Sequence, residues 1–238
     1  MKIRRALIIF IMFAAINALP VYAQDKSIMS LADEYALALR KFQTQRTRAS
    51  LEGVVRKGNA VGEKLSELED LSEAEYALLE KKMKGFVVNR DETLVIEPDL
   101  KFFAQLAKTR GTTADTAFFG LMHEIKPDNV WAAYNERQTD YSGCTVYGKG
   151  VLTALYGKAL RFKKAYPQAY AVDINEEINE ILEEFTGGTC ACGNRAGVER
   201  EFRSFIKTFP KDKNTPAIKK RLANLGNNKT FRFNCQSG

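Results

Sequence analysis

Histidine is almost missing from this 238-residue chain, which contains only His123. Multi-histidine metal centres are therefore excluded, and a Ser/His/Asp or Cys/His catalytic arrangement would have to be built on that one ring. No nucleophile elbow or related signature accompanies it. Pro/Ser/Gly-rich linkers and low-complexity tracts are absent too, so nothing in the composition divides the chain. Cysteine does not occur before Cys144, and none follows the N-terminal apolar run closely, which argues against bacterial-type lipid anchoring.

What is present begins with an export signal. Lys2, Arg4 and Arg5 precede fourteen uncharged residues, Ala6 to Leu19, and Pro20 then breaks the run. That length fits a signal core and is short for a membrane-spanning helix. Val21-Tyr22-Ala23 places small residues where signal peptidase accepts them, so cleavage is expected before Gln24. Retained uncleaved, the run lengthened to Ala23 would instead be an anchor. The expected organisation is a signal over 1–23 and one mostly helical domain over 24–238, periplasmic or extracellular, with no stable membrane insertion after cleavage. Removing three of the 36 basic residues leaves 33 against 29 acidic ones, a mature charge of +4. Nucleic acid is therefore not expected as a partner. The denser basic region of Arg40, Lys41, Arg46, Arg48, Arg56 and Lys57 reads as a solvated helix face.

Helical periodicity runs nearly throughout. Leu31, Tyr35, Ala38, Leu39 and Phe42 mark one amphipathic face, with Ser30 and Asp33 as capping residues. Ser72-Glu73-Ala74-Glu75 is a capping box before Tyr76, Leu79 and Met83, and Gly85 is placed to stop that helix. Phe86-Val87-Val88 and Thr93-Leu94-Val95-Ile96 form either a short hairpin or an extended connection. Further short elements are expected over Asp99 to Lys108, over Thr113 to His123, and from Pro127 through Trp131. Phe102-Phe103 and Phe118-Phe119, sixteen residues apart, should pair across a helical hairpin as core. Phe162 to Pro167 and Phe205 to Pro210 share the frame F-x-K-x-aromatic-P, 43 residues apart, each ahead of a second helix (Ile174 to Phe185, Ile218 to Leu225). This is either a solenoid-like repeat or the ordinary steric placement of proline after a helix. The fold class is thus mainly all-α, an irregular array of helical hairpins whose C-terminal half is solenoid-like if the frames are repeats, with at most one small β-hairpin near residues 86–96.

Cys144, Cys190, Cys192 and Cys235 are even in number, and export makes disulfides the default. Of three pairings, Cys190 to Cys192 closes a ring over one residue and is disfavoured; the other two stay open. Each would close a loop of forty-odd residues, about 4 kcal/mol on the chain-entropy model. A thiol redox pair or a four-cysteine zinc site fits the C-x-C spacing poorly, so no metal and no cofactor are expected.

Three functional readings remain. The leading expectation is binding of a macromolecule, with a protein as partner, as in an envelope inhibitor or immunity-type protein. The second is a carboxylate-dependent hydrolase of an envelope polymer, for which His123, Glu124 and Tyr147 in the Tyr141 to Gly150 segment are the residues to inspect, although His123-Glu124 at a helix end reads first as a capping or surface pair. The third is a small-ligand or lipid carrier with a closed cavity lined by some of Phe102, Phe103, Phe118 and Phe119. Glu176, Glu177, Glu180, Glu183 and Glu184 read as a solvated face. Tyr147-Gly148-Lys149-Gly150 resembles a fragment of a phosphate loop but lacks its full spacing, and reads as a helix entrance with glycines for close packing. Asn228-Lys229-Thr230 is a formal glycosylation sequon.

Overall fold

Hydrophobic spacing and local capping account for most of the helix boundaries in the computed structural model, which describes residues 27–67, 71–89, 95–129, 131–139, 142–188, 190–225 and 232–233. The expected signal over Met1 to Ala23, Tyr141, Cys235 and the sequon at Asn228 to Thr230 lie outside the described residues. Helix α1 spans Ile28–Thr44 and starts earlier than its expected cap: Ser27, not Ser30 with Asp33, is the N-cap, and its hydroxyl accepts from the Ser30 N–H at 3.3 Å. Ile28, Ala32, Tyr35, Leu39 and Phe42 are its buried stripe. It packs against α2 (Glu52–Ser66) and α3 (Glu73–Lys82). The Ser72 and Glu75 side chains close the capping box that opens α3, and Gly85 follows at φ +90°, a left-handed conformation suited to glycine.

The segment after Gly85 forms a hairpin. Strand β1 (Phe86–Asn89) runs antiparallel to β2 (Val95–Pro98), with Phe86 opposite Pro98 and Asn89 opposite Val95. Asp99 caps α4 (Leu100–Arg110), and Thr112 with Asp115 forms a capping box on α5 (Thr113–Ile125). The expected aromatic pairing is present, since Phe103 stacks on Phe119 with ring centres 5.5 Å apart. Part of the basic region also closes loops: the guanidinium of the exposed Arg48 donates to the Gly111 and Lys108 carbonyls at 2.7 and 3.2 Å.

Among the described residues between Pro127 and Tyr134 there is no helix, contrary to expectation. Asp128 accepts from the Trp131 N–H at 2.8 Å and Asn129 adopts φ +69°, so the segment turns into strand β3 (Asn135–Arg137). Strand β4 (Gly143–Thr145) pairs antiparallel with it. Helices α6 (Val151–Ala165) and α7 (Ala171–Thr186) come next, then β5 (Cys190–Ala191), α8 (Arg195–Thr208), α9 (Thr215–Asn224) and β6 (Arg232–Phe233). The structure thereby adds a second, four-stranded sheet of order β3-β4-β5-β6, parallel between β4 and β5 and between β5 and β6. Cys144 bonds to Cys192 across this sheet, where Thr145 pairs with Ala191, and Cys190 is likewise disulfide-bonded.

The two proline frames share local geometry. Tyr166 and Phe209 are both C-caps, at φ −134° and −124°, and their N–H groups donate to Phe162 and Phe205 at the same distance, 2.8 Å. Helix α6 contacts both α7 and α8, and α9 contacts both α7 and α8, so two helical hairpins stack side by side. Buried side chains from Ile28 to Leu225 form one hydrophobic cluster. Among the described residues no helix is long and apolar enough to cross a membrane.

Candidate functional site

Helix α7 carries two stripes one residue apart. Ile174, Ile178, Ile181, Leu182 and Phe185 are buried, while Asp173, Glu176, Glu177 and Glu180 repeat at i, i+3, i+4 and i+7 and so share an adjoining face. That acidic face forms one wall of a cavity of about 230 Å³. Val55 and Asn59 come from α2, Glu97 from β2, and Phe118, Phe119 and Met122 from α5, with Lys126 just past the end of α5. A second hollow, of about 190 Å³, continues along α2 and α7, sharing Val55, Asn59, Asp173 and Glu176 with the first and adding Glu52, Arg56 and Glu63.

The acidic run is therefore not a uniformly solvated face. Glu176 and Glu180 are exposed, but Glu177 is only 5% exposed. Its Oε1 accepts from the Lys126 ammonium at 2.8 Å, and Glu180 lies 3.7 Å from the same nitrogen. Oε2 of Glu177 is buried with no hydrogen-bond partner. Leaving such an acceptor dry costs about 1–3 kcal/mol or more, and the position calls for an explanation.

Burial pushes the carboxyls of Glu97, Asp173 and Glu177 above the ordinary range, with Lys126 opposing at Glu97 and Glu177. At Asp173 the charge of Glu52 adds to the rise, and Arg56 opposes it. Burial pulls the Lys126 ammonium down, but the charges of Glu177, Glu180 and Glu97 together outweigh it and leave the group above its usual value. A carboxyl raised in the folded state binds more protons folded than unfolded, so its contribution to stability is full below the unfolded value near 4.5 and is lost as pH rises through the raised one. The urea midpoint should accordingly climb as pH falls from about 7 toward about 5, and the pair Glu97→Gln and Asp173→Asn should flatten that slope. Lys126 stays charged over this interval, and Glu52, Arg56, Glu176 and Glu180 remain in both proteins. A slope unchanged by the substitutions would contradict the assignment.

His123, Glu124 and Tyr147 are placed apart from this cavity. His123 and Glu124 are exposed on the last turn of α5, Glu124 pairing with Lys158 of α6. Tyr147 is buried, and its hydroxyl donates to the Glu184 carbonyl at 2.8 Å and lies 3.3 Å from Glu184 Oε2. Burial raises the Glu184 carboxyl, with the hydroxyls of Thr145 and Tyr147 and the charge of Arg221 pulling the other way. Of the four candidate cavity phenylalanines, Phe118 and Phe119 line the acidic cavity, whereas Phe102 and Phe103 do not. Nothing in the sequence marks Lys126 or Glu97 as members of the site; the spacing of Asp173 with the glutamates of α7 is the signal it carries.

The phosphate-loop fragment also proves to be an anion cradle, with an internal occupant. Gly148 and Gly150 adopt φ +87° and +76°, and their N–H groups donate to Oε2 of Glu201 at 2.9 and 2.7 Å. Oε1 of Glu201 accepts from the Thr153 N–H and hydroxyl at 3.1 and 2.8 Å. The carboxylate of α8 thus caps α6, whose own N-cap Gly150 has no side chain to do so. Close packing is part of the same device, since a Cβ on Gly148 would lie 2.9 Å from the Gly197 backbone.

Comparisons with protein-family models, with curated proteins and with solved structures find no match.

Proposed function

We propose that this is an exported binding protein and that a macromolecular partner docks over the acidic cleft between α2, α5 and α7. The observation that carries the reading is the cleft itself: carboxylates from two elements converge on one ammonium, and the innermost of them keeps a buried oxygen without a partner. Electrostatic complementarity of this kind steers and selects a positively charged partner. The Cys144–Cys192 disulfide is compatible with an oxidising compartment. An envelope inhibitor or immunity-type protein is the concrete form of this reading.

The test is capture from envelope extract by the oxidised chain at micromolar concentration under non-reducing conditions, beside the double variant Glu176→Lys and Glu180→Lys. Both residues are exposed, so the fold should tolerate the change. We expect a discrete partner retained by the native protein and lost by the variant. Equal capture by both, or none by either, would reject the reading.

The raised carboxyls favour a second reading, hydrolysis of an envelope polymer with Glu97 or Asp173 as proton donor. Release of soluble fragments from purified envelope polymer, abolished by Glu97→Gln or Asp173→Asn, would select it over docking.

A further inference from the structure

The ligand chemistry of the cleft follows from which carboxylate oxygen is spare. Glu177 Oε1 is taken by Lys126 at 2.8 Å, and Oε2, buried beside it, has no partner. A guanidinium pairs best with a carboxylate as a fork that uses both oxygens. With Oε1 already engaged, that fork is closed, whereas an ammonium is a point charge that one acceptor can serve. A calcium ion takes six to eight oxygen ligands. Among the described residues no group of three or more His, Cys, Asp or Glu is placed to hold a metal ion.

The remainder of the cavity fits an alkyl stem. Val55, Phe118 and Met122 supply apolar surface, and the acids stand around it. Long cationic side chains settle in this way, with methylenes on an apolar surface and the charged head on polar groups. A volume of about 230 Å³ is below the span of pockets for drug-sized ligands and suits one side chain.

We propose that the cleft receives an alkylammonium group, the lysine side chain of a protein partner, with its nitrogen on Glu177 Oε2 and its methylenes against Val55, Phe118 and Met122. This rests on the reading of the cleft as the docking site.

The probes are N-acetyl-lysine amide, N-acetyl-arginine amide, N-acetyl-norleucine amide and calcium, titrated into the oxidised chain and followed by NMR at the Met122 methyl and the Phe118 ring. The lysine amide should bind at least tenfold tighter than the arginine amide, and norleucine amide and calcium should leave these signals in place. Glu177→Gln should weaken lysine-amide binding at least tenfold. Glu180→Lys, an exposed substitution, should do the same while leaving the circular dichroism unchanged. Equal binding of lysine and arginine amides, equal binding of norleucine amide, or indifference to both substitutions would overturn the proposal. Partner capture that depends on the cleft charges, together with no lysine-amide binding, would overturn the ligand class alone; loss of both would remove the docking reading with it.

Discussion

Glu201→Ala should lower the free energy of unfolding by about 4 kcal/mol, the sum of several buried donors losing their acceptor at roughly 1–3 kcal/mol each with partial relief from relaxation. Glu201 is 1% exposed and serves four donors: the N–H groups of Gly148, Gly150 and Thr153, and the Thr153 hydroxyl. The Gly150 and Thr153 N–H groups stand at the entrance of α6, where no earlier turn of helix can satisfy them. Alanine leaves them facing a cavity; glutamine restores one acceptor oxygen but sets an amide NH₂ against the others. Glu201→Gln should therefore fall between native and alanine, at about 2 kcal/mol. Equilibrium urea denaturation measures both, and amide exchange at Gly150 and Thr153 should quicken in step. A loss under 1 kcal/mol for the alanine variant would mean that the cradle contributes little and that α6 is held by its apolar face alone.

The same cradle shows what a sequence can and cannot disclose. Its glycines are legible because left-handed backbone at Gly148 and Gly150 demands them, but the occupant lies some fifty residues away on another helix. Elements with self-contained signals are legible, such as the capping box at Ser72 and the Phe103 and Phe119 contact between neighbouring helices, whereas the β1 and β2 hairpin is legible only as one of two alternatives, the other being an extended connection. The four-stranded sheet was not, since strands of two or three residues are too short for alternation to register. Its pairings also determine the disulfide: the Cys192 N–H donates to the Thr145 carbonyl at 2.9 Å, which sets Cys192 beside Cys144. The cleft lies between these extremes. The acidic stripe of α7 is visible as spacing, yet a single helix does not reveal which neighbour covers it, and Glu97 and Lys126 arrive from β2 and from the end of α5.

Asp115→Ala should cost about as much as Glu201→Ala, roughly 3–5 kcal/mol, the range for removing one partner of a fully buried, multiply bonded charge, and it should also disable the cleft. The Asp115 side chain is fully buried and is shared by the starts of three helices. Oδ2 accepts from the Thr112 N–H at 2.6 Å and the Thr112 hydroxyl at 2.7 Å, closing the box on α5. Oδ1 accepts from the Leu51 N–H at 2.9 Å, at the entrance of α2, and from the Tyr170 hydroxyl at 2.5 Å, at the entrance of α7. Negative charge at three helix N-termini is favourable on electrostatic grounds as well. Tyr170 holds a left-handed backbone at φ +50°, which is uncommon for a bulky residue, and its ring is stacked on Phe118 at 3.8 Å. Helices α2, α5 and α7 are the walls of the acidic cleft, so one carboxylate sets their relative height. Asp115→Asn places an NH₂ against two donors in either orientation and should lose about 2–3 kcal/mol. Tyr170→Phe removes a single bond and should lose about 1 kcal/mol while keeping the ring stack. If Asp115 acts through these helix entrances, the Asp115→Ala and Tyr170→Phe losses will combine to less than their sum in a double-mutant cycle. Under conditions where the Asp115→Asn variant remains folded, partner capture should weaken, whereas Tyr170→Phe should leave it intact. Additive losses, or undiminished capture by the folded asparagine variant, would separate the buried carboxylate from the geometry of the cleft.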